Sequence, residues 1–587
     1  MITLQGPLVT RRRVLVALGV LLAAIVAYGV WQTWALYRDL DRAQDSAADL
    51  RAAIDSGDPE ARDRAIEDLK ETAAGAADRA DGLWWKALTW VPILGDDADG
   101  VRTLSSTLDQ VADEGVEPLA DTVDRLEQVS KNGSIDLDVV REIQDPVARA
   151  SDTFGAASRE VDALDSSGFT DALRTRYDEY ADILGDAAQA LASADTAAQA
   201  LPAMVGADGP RDYFVVFQNN AEVRATGGMP GSWALIHAED GNLEMRQQGA
   251  AIEFPTFDEP VLPLTEGELA VYGKEIGRYF QDPGFAPDFP RAAELWHEHW
   301  DRKFPDIPID GVFALDPVGM SYLVEGTGPI RVGGLTLTAD NLVDELLNKP
   351  YIERGVAAQD QLFREAARTI FEAMTGDLAS PVSFIDGMSR ATREGRFLVA
   401  PFDDGDAEVL AGSTVLGELP TDDGKTPYVD IGVNDATGSK MSYYLRFRAE
   451  IEGRSCADNR QQLAGEMVLS QAISPRDAAE LPESVTGGGN YGTEPGTQLV
   501  PVRIYGPVGG TIDDLTLEGA EVEAVEKGDV EIDDRPVVTI PVFIDTREDV
   551  VLTWSMETGS GQTGDGLLGM TPGILPGNND AQFPSAC

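Results

Sequence analysis

The chain has 587 residues, of which 43% are hydrophobic and 25% are charged, and its formal net charge is −55. At roughly 150 residues per domain, this length predicts about three or four structural units. The composition is that of a globular protein, which excludes wholesale disorder, collagen and a transporter with many membrane helices. A chain this acidic repels phosphate backbones, so we expect no nucleic acid partner. Arg far outnumbers Lys, which is typical of a GC-rich bacterial genome.

An apolar run without any charged residue covers 14–37 and directly follows an Arg triplet at 11–13. As a helix, this run would extend for about 36 Å, which is enough to cross a hydrocarbon core of about 30 Å with some tilt. A cleaved signal peptide would have a shorter apolar core. We therefore expect a single transmembrane helix over 14–37, with a buried core helix as the alternative.

The residues that flank the run predict its orientation. Positive charge on the N-terminal side keeps residues 1–13 in the cytoplasm as a short tail. Trp31, Trp34 and Tyr37 at the other end are typical of an aromatic belt at the outer interface. We expect the bulk of the chain to lie outside the plasma membrane, in a single-pass arrangement.

Residues 38–203 are rich in Ala, Asp, Leu and Arg, with apolar positions recurring every three or four residues. This spacing predicts amphipathic helices, which we interpret as four or five helices in a stalk or bundle. The aromatic stretch at 83–95 is too short to cross a bilayer. It is either an interfacial helix at the headgroups or core between helices, and its lack of a basic polar face favours core.

Residues 204–420 alternate between strand and helix patterns, which predicts an α/β sandwich domain. The expected strands are 211–218, 232–238, 243–247, 310–316 and 329–332, and the expected helices are 265–279, 290–303, 338–347 and 356–375, with a further helix opened by Pro317.

Residues 421–587 shift to Val, Thr, Gly and Tyr, which predicts an antiparallel β-sandwich. The expected strands are 428–433, 442–451, 466–471, 498–505, 537–544 and 550–555. We interpret 559–566 as a Gly-rich linker and the tail after 557 as extended. The two cysteines, Cys456 and Cys587, lie in this outer part, where an oxidising exterior permits a disulfide that would fix the C-terminus to its own domain.

Motifs in the α/β region resemble the domain-of-unknown-function 4012 family, which has no settled activity. The resemblance lies in Phe217-Gln218-Asn219-Asn220-Ala221-Glu222-Val223-Arg224-Ala225-Thr226-Gly227-Gly228 with Gly231-Ser232, in Pro287-Asp288-Phe289-Pro290, in Asp310-Gly311-Val312 with Asp316-Pro317, and in Thr327-Gly328-Pro329-Ile330. The stretch at 83–95 resembles the stalk of actinobacterial members. The resemblance implies a membrane-anchored protein and extends over most of the chain after residue 40.

A second resemblance is to the LytR-CpsA-Psr phosphotransferases. The order of an Asp-Gly-Val strand, Asp-Pro, a helix and Gly-Thr-Gly-Pro-Ile is similar to theirs. Those enzymes have one N-terminal membrane helix and move glycopolymers from lipid pyrophosphate carriers with Arg residues and an Mg-bound Asp. Their Ile-Pro-Arg-Asp motif does not occur in this chain.

The candidate ligand-binding residues lie mainly in a polar loop that we expect at 219–232, between two strands. Glycine lets backbone N–H groups approach a ligand, while Asn and Arg offer planar donors for a phosphate, a carboxylate or a sugar hydroxyl. The candidates are Asn219, Asn220, Glu222, Arg224, Thr226, Gly227, Gly228, Asp288 and Arg291. The alternative is a buried hydrogen-bond network in which Arg224 pairs with Glu222 or Asp288 and the tandem glycines serve a turn. For Asp288 and Asp316, the alternative is a helix cap.

No known catalytic or metal-binding motif occurs, so we expect no metal and no cofactor, apart from Mg²⁺ if the chain is a transferase. The modular layout favours a non-enzymatic envelope protein that binds or helps to assemble a surface glycopolymer or binds a partner protein. The alternatives are a LytR-CpsA-Psr-like phosphotransferase acting on lipid-pyrophosphate substrates, with Arg224 and Asp288 beside a metal, and a sensor or scaffold. Whether the chain is an enzyme stays open at this point.

Overall fold

The structure is a computed structural model of the chain. It describes residues 8–56, 58–91, 94–126, 128–131, 133–489, 492–519, 530–547, 549–577 and 580–587. Within these ranges, the side chains of 8–26, 30, 55, 56, 121, 123, 124 and 131 are not described.

The chain divides into two compact units. The first comprises Met1–Arg125 and Arg141–Ala198, and the second comprises Leu126–Val140 and Gln199–Cys587. A helical N-terminal region is thus followed by several sheets and a β-rich C-terminal part, which confirms the predicted fold class in outline.

The first unit is helical. Its elements are α1 (Leu8–Ser56), α2 (Pro59–Ala80), α3 (Leu83–Leu88), α4 (Gly95–Gln110), a π-helical turn (Val111–Val116) and most of α5 (Glu117–Leu126), α6 (Leu137–Asp162) and α7 (Asp171–Met204). Asp58 caps α2 by accepting a hydrogen bond from the Ala61 N–H, with Pro59 in the first helical position. Small side chains such as Ala73 and Ala76 are fully buried, so neighbouring helix backbones approach closely.

The predicted membrane span, 14–37, falls within the backbone of α1, but the side chains of its first half lie outside the described residues. Among the residues that the structure does describe, no helix has an apolar stretch long enough to cross a membrane.

The second unit begins with an α/β part. Its strands are β1 (Ser130–Lys131), β2 (Ser134–Ile135), β3 (Arg211–Arg224), β4 (Gly227–Glu239), β5 (Asn242–Ala250), β6 (Gly311–Leu315), β7 (Ile330–Val332), β8 (Leu335–Leu337) and β9 (Phe397–Pro401). Its helices are α8 (Glu266–Tyr272), α9 (Phe289–Lys303), α10 (Pro317–Thr327), α11 (Leu342–Leu347), α12 (Lys349–Glu353), α13 (Val356–Thr375), α14 (Pro381–Arg393) and α15 (Asp404–Leu410).

The main sheet of this part has the order β1-β2-β5-β4-β3-β6-β9, with β3 and β6 parallel. Alternate residues of β3 pack on opposite faces of the sheet. Phe214 and Val216 contact Trp296 and Trp300 of α9 in one core, whereas Val215 contributes to a core on the other face. Because both faces are covered there, the stretch 213–217 of β3 is a continuous apolar run rather than an alternating one.

The C-terminal part is a sandwich of two sheets. Its strands are β10 (Tyr428–Val433), β11 (Leu445–Ala457), β12 (Arg460–Gln471), β13 (Gln498–Tyr505), β14 (Thr511–Glu518), β15 (Glu531–Ile532), β16 (Arg535–Ile544), β17 (Val550–Glu557), β18 (Gly566–Met570) and β19 (Ala581–Phe583), with the short helices α16 (Pro475–Ala478) and α17 (Glu483–Thr486). The sheet orders are β15-β16-β13-β10-β18-β19 and β11-β12-β17-β14, and their facing side chains form one core.

The tail differs from the sequence-based expectation. We predicted a linker at 559–566 and an extended tail. Residues 559–565 contain no strand or helix, but β18 begins at Gly566 and, with β19, extends the larger sheet. β18 lies parallel to β10, so this sheet is mixed and not purely antiparallel as predicted. The Gly-rich composition misled the prediction because Gly566 and Gly569 lie where close neighbours, the Phe583 ring and the Tyr428 hydroxyl, leave no room for a side chain.

The tail ends in a covalent link, because Cys587 and Cys456 form a disulfide across 131 positions of sequence. Cys456 lies near the end of β11, and the terminal residues run alongside this strand, with Pro584 O close to Gly453. The C-terminus is therefore fixed to the smaller sheet while β18 is held in the larger one.

Replacing Cys587 with Ser should lower the stability of the protein, because the unfolded chain regains the entropy of a long loop. The chain-entropy model gives an upper value of about 4–5 kcal/mol for this loop length. We expect a lower midpoint in guanidinium unfolding for Cys587→Ser and the same loss for Cys456→Ser. An unchanged midpoint would show that the non-covalent contacts of the tail already hold it in place.

Candidate functional site

The family-like motif at 217–228 lies at the end of a long β-hairpin. β3 continues to Arg224 and β4 begins at Gly227, so the loop predicted at 219–232 is wrong. The pairing of the two strands shifts register between Phe217 and Gln218 and again between Asn219 and Val223. Five of the candidate side chains are buried at this irregular hairpin end: Asn219, Asn220, Glu222, Arg224 and Thr226.

The two asparagines hold different neighbours. The Asn220 Nδ2 atom donates to the Asp316 carboxylate at 2.7 Å and to the Gly227 carbonyl at 3.4 Å. The Asn219 amide donates to the Tyr351 hydroxyl at 3.0 Å, and its oxygen accepts from the Ala221 N–H at 3.0 Å. Both amide nitrogens are thus used within the protein, whereas the Asn220 Oδ1 atom is buried without a hydrogen-bond partner among the described residues.

Asp316 is the centre of a buried ion pair. One of its oxygens accepts from the Gly319 N–H at 2.6 Å, which makes Asp316 the cap of α10. The other oxygen lies 3.1 Å from a guanidinium nitrogen of Arg396, and both side chains are fully shielded from solvent. The cap interpretation was therefore incomplete, because the same carboxylate also neutralises a buried cation.

Arg396 connects this ion pair to the C-terminal tail. Its Nε donates to Glu394 at 2.6 Å, and its terminal nitrogens donate to the carbonyls of Gly573 at 2.9 Å and Leu575 at 2.7 Å. Burial acts to raise the pKa of Glu394, but hydrogen bonds from Tyr322 and Arg396 hold it below its ordinary value.

The hairpin end also binds the segment that follows β10. Arg224 donates to the Asp435 carbonyl at 2.9 Å and lies over the Phe285 ring, 4.4 Å from its centroid. Asn434 accepts from the Ala225 N–H at 3.0 Å, and Lys440 pairs with Glu222 at 2.8 Å. The predicted pairing of Arg224 with Glu222 or Asp288 is thus wrong, because backbone carbonyls and an aromatic ring take that place.

The remaining motif residues support the geometry of the hairpin. Thr226 accepts from the Gln218 amide at 2.8 Å. Gly227 has φ +124°, and a Cβ at Gly228 would lie only 2.4 Å from the Asn219 backbone. The tandem glycines therefore allow a turn and a close approach of two strands, as the structural alternative predicted.

Asp288 and Arg291 have other partners than the motif. Asp288 occupies the N-cap position of α9, its Oδ1 accepts from the Leu419 N–H at 3.0 Å, and burial raises its pKa to about 6. Arg291 pairs with Glu268 at 2.7 Å and with Glu294 at 2.7 Å. The candidate ligand-binding residues therefore fall into two groups. Those of the 219–228 motif belong to a buried network, whereas Arg291 belongs to a separate cluster of ion pairs.

The histidines are not arranged as metal ligands. His299 is fully buried beside Phe257 and Phe280, and burial lowers its pKa to about 4. His297, two residues earlier, stacks on Phe402. Within the described ranges, no three His, Cys, Asp or Glu side chains form a group that could hold a metal ion.

An open groove of about 580 Å³ lies between β5 and α13. Its walls are 243–248 of β5 and, on the helix, Arg368, Phe371, Glu372 and Thr375. Those four positions follow the spacing of one helical face. Sequence reasoning missed this site because the face mixes one aromatic residue with charged ones, as an ordinary amphipathic helix does at the edge of its apolar stripe.

Several polar groups in the groove are free. The side chains of Gln248, Arg368 and Glu372 have no hydrogen-bond or ion-pair partner among the described residues. β2 pairs with β5 only between Ser134 and Asn242, so over 243–250 the described chain provides no strand on the outer side of β5. The Phe371 ring is half-buried and also contacts the core beneath the sheet.

A second groove, of about 420 Å³, lies along 259–264 and includes Leu269 and Lys274. Its walls are mainly Pro, Val and Leu side chains, and Lys274 lies 3.5 Å from Glu259 at its rim. With its charged groups turned toward each other, this groove offers fewer directed contacts than the β5–α13 groove.

A comparison with protein-family models agrees with the motif-based resemblance. The family model described as Protein of unknown function (DUF4012) matches residues 208–351, which confirms the resemblance over the hairpin and the helices after it. The chain is also similar to the solved structure of the Lin1025 protein from Listeria innocua, at 14% identity and a TM-score of 0.19, over 36% of this chain and 81% of that chain. No curated protein matches the chain. The resemblance to the LytR-CpsA-Psr phosphotransferases stays a prediction.

Replacing Arg396 with Ala should strongly destabilise the protein, because Asp316 and Glu394 would remain buried without their cation. Breaking a buried pair from one side costs about 3–5 kcal/mol. The exposed Arg364 on α13 provides the control, since Arg364→Ala should change stability by no more than about 0.5 kcal/mol. Urea unfolding of both variants measures the difference. Equal stabilities would mean that the ion pair does not hold the tail.

Proposed function

We propose that this chain is a single-pass, membrane-anchored protein of the cell envelope whose second unit binds a surface glycopolymer in the β5–α13 groove. The observation that carries the proposal is the set of three partner-free polar side chains, Gln248, Arg368 and Glu372, beside a half-buried aromatic ring, along an open strand edge. Well-formed clefts with a few directed polar groups are the usual sites of ligand binding.

The groups in the groove match the chemistry of a sugar chain. Sugar hydroxyls both donate and accept hydrogen bonds. The amide of Gln248 does the same, Arg368 donates, and Glu372 accepts. The Phe371 ring offers an apolar face on which the C–H face of a sugar ring can pack. The outer backbone groups of β5 add further donors and acceptors along an extended polymer.

The local charge also fits a glycopolymer. Arg246 and Arg368 balance Glu244 and Glu372 within the groove, although the whole chain carries a net charge of −55. The protein therefore repels strongly anionic polymers in general, while this surface is locally neutral. We infer that the ligand is a neutral or weakly charged polysaccharide.

The walls of the groove are held by the core on both sides. β5 pairs with β4 from Asn242 to Ala250, and α13 buries Leu362, Ala366 and Ile370. A preformed groove costs little ordering on binding, so weak individual contacts along a polymer can add up.

Binding is better supported than phosphoryl transfer. A transferase would require Arg224 and Asp288 to converge with a metal ion at an open cleft. Instead, Arg224 is buried against Phe285 and carbonyl groups, and Asp288 accepts from the Leu419 backbone. The buried motif therefore supports a structural role in this chain.

Anchoring to the membrane is supported by the sequence. The run at 14–37 has the length and composition of a spanning helix, and the Arg triplet at 11–13 favours a cytoplasmic N-terminus. The acidic remainder of the chain would then lie outside the plasma membrane, where the disulfide between Cys456 and Cys587 is stable.

Replacing groove residues should weaken polysaccharide binding while leaving the fold intact. We expect Phe371→Ala and Arg368→Ala each to reduce affinity by about tenfold, which corresponds to about 1.4 kcal/mol. The measurement is binding of the full chain in nanodiscs to an array of neutral, amino and anionic glycans.

The matched control is Arg364→Ala, one helical turn from Arg368 on the same helix but outside the groove. It should leave binding unchanged. If Arg364→Ala and Arg368→Ala reduced binding equally, non-specific charge attraction would account for it and the groove would not be the site.

Introducing charge into the apolar run should release the chain from the membrane. Each Arg at the centre of a spanning helix costs about 2.5–3.5 kcal/mol on insertion scales. We expect Leu21→Arg with Leu22→Arg to shift the chain from the carbonate-resistant membrane fraction to the soluble fraction, whereas Leu21→Ala with Leu22→Ala remains in the membrane. Recovery of the unaltered chain in the soluble fraction without detergent would contradict the anchor.

A further inference from the structure

Large apolar side chains are exposed on the first unit around the end of the apolar run. On α1 these are Tyr28, Trp31, Trp34 and Tyr37, each about half exposed. On α3 and the turn after it they are Leu83, Trp90, Val91 and Leu94, of which Leu83 and Trp90 are 88% exposed. Soluble surfaces rarely concentrate so many large apolar groups, and such patches mark interaction sites.

The two sets of side chains belong to one surface. The Trp84 ring lies edge-on to Tyr28 with 6.1 Å between centroids. A Cβ at Gly29 would lie only 2.1 Å from the Trp84 ring, so Gly29 provides the space in which Trp84 packs on α1. Trp85 enters a small core with Leu36. α3 therefore lies alongside α1 between Gly29 and Leu36, within the run at 14–37.

Hydrogen bonds hold the described residues of the turn after α3, where Trp90, Val91 and Leu94 are exposed. The Val91 N–H donates to the Leu88 carbonyl at 2.8 Å, and the Leu94 N–H donates to the Val91 carbonyl at 3.2 Å. A Cβ at Gly95 would lie 2.7 Å from the Thr89 carbonyl oxygen, so the chain returns closely on itself. Trp90 is exposed because this turn projects it.

Charged groups mark where the apolar surface ends. Asp39 pairs with Arg79 at 2.8 Å, and Lys86 pairs with Asp81 at 2.8 Å. Gly29 precedes Asp39 by ten residues, which is about 15 Å along a helix. If the charged pairs lie in the headgroup region, the Trp84 contact lies at the depth of the lipid chains.

We propose that the segment 83–91, together with Leu94, inserts into the outer headgroup and acyl boundary of the bilayer beside the spanning part of α1. This inference rests on the proposed membrane anchor. The lipid surface is the occupant because the exposed patch is continuous with the apolar run through Trp84 and Gly29. The carboxylates of Asp81, Asp96, Asp97 and Asp99 adjoin the segment and disfavour anionic lipids, so zwitterionic headgroups fit best.

Insertion of this segment would control the depth and tilt of the anchor. Interfacial aromatic side chains fix a helix relative to the membrane surface. A second element packed on α1 at a fixed height prevents α1 from sliding along the bilayer normal. From the sequence we favoured a core position between helices for this aromatic stretch. Trp85 is buried in that way, whereas Leu83 and Trp90 are exposed.

A fluorescent label on one introduced cysteine tests the position of the segment. Both native cysteines are in the disulfide, so only the introduced cysteine reacts with the dye. The full chain carrying Trp90→Cys, labelled with an environment-sensitive dye, is placed in phosphatidylcholine vesicles with or without a quencher attached to the lipid chains. We expect a blue-shifted emission and loss of signal with the quencher. Trp90 is exposed, so its replacement should leave the fold unchanged.

Two further labels separate this inference from the anchor itself. Trp31→Cys lies in the run and should be quenched if α1 is in the membrane, and Ser106→Cys on the exposed side of α4 should not be. Quenching at Trp31→Cys with a Trp90→Cys signal like that of Ser106→Cys would overturn the insertion and keep the anchor. Absence of quenching at both would overturn both proposals. A blue shift at Trp90→Cys without lipid quenching would indicate a second copy of the chain as the occupant and would also overturn the insertion.

Discussion

The buried ion pair between Asp316 and Arg396 is the interaction on which the arrangement of the second unit depends. Removing two charges from water is costly, and the cost is offset only where the remaining hydrogen-bonding capacity is satisfied. Here Gly319 and Asn220 occupy the carboxylate, while Glu394 and the carbonyls of Gly573 and Leu575 occupy the guanidinium. One pair thereby joins the start of a helix, the end of a hairpin and the C-terminal tail.

This arrangement explains why the family-like motif is so polar yet so buried. The end of the β3–β4 hairpin contacts both the helices of the α/β part and the β-sandwich, and several of its polar side chains bind specific groups there. Arg224 and Glu222 reach the segment after β10, and Asn220 reaches Asp316. Directed hydrogen bonds permit one docking geometry, whereas an apolar contact would tolerate several. The motif thus specifies how two layers of the second unit meet.

The consequence is that the groove proposed for ligand binding lies away from the motif. The side chains of the motif are buried and bind mainly within the protein, whereas the partner-free polar side chains of the proposed groove lie along β5 and α13. The rigid docking of the sandwich keeps the sheet in place, so the edge strand can present a fixed row of donors and acceptors. The apolar patch on the first unit represents a different kind of surface, because it offers area but few directed polar groups.

The sequence by itself determined the local elements of this protein and the location of its most polar motif. Strand and helix bounds such as Tyr428–Val433 and Val356–Thr375 follow from apolar periodicity, which depends only on near neighbours. The roles of the polar residues depended on the tertiary structure, because their partners are remote: Arg396 lies 80 positions from Asp316, and Arg224 lies 211 positions from Asp435. Glu394 and Arg396 directly before a buried strand, and Asn434 and Asp435 directly after one, were the available signals. Neither signal identifies a partner, because a polar group at a strand end can be solvated by water as well as by another polar group of the protein. Only the folded chain decides whether water or another side chain surrounds it.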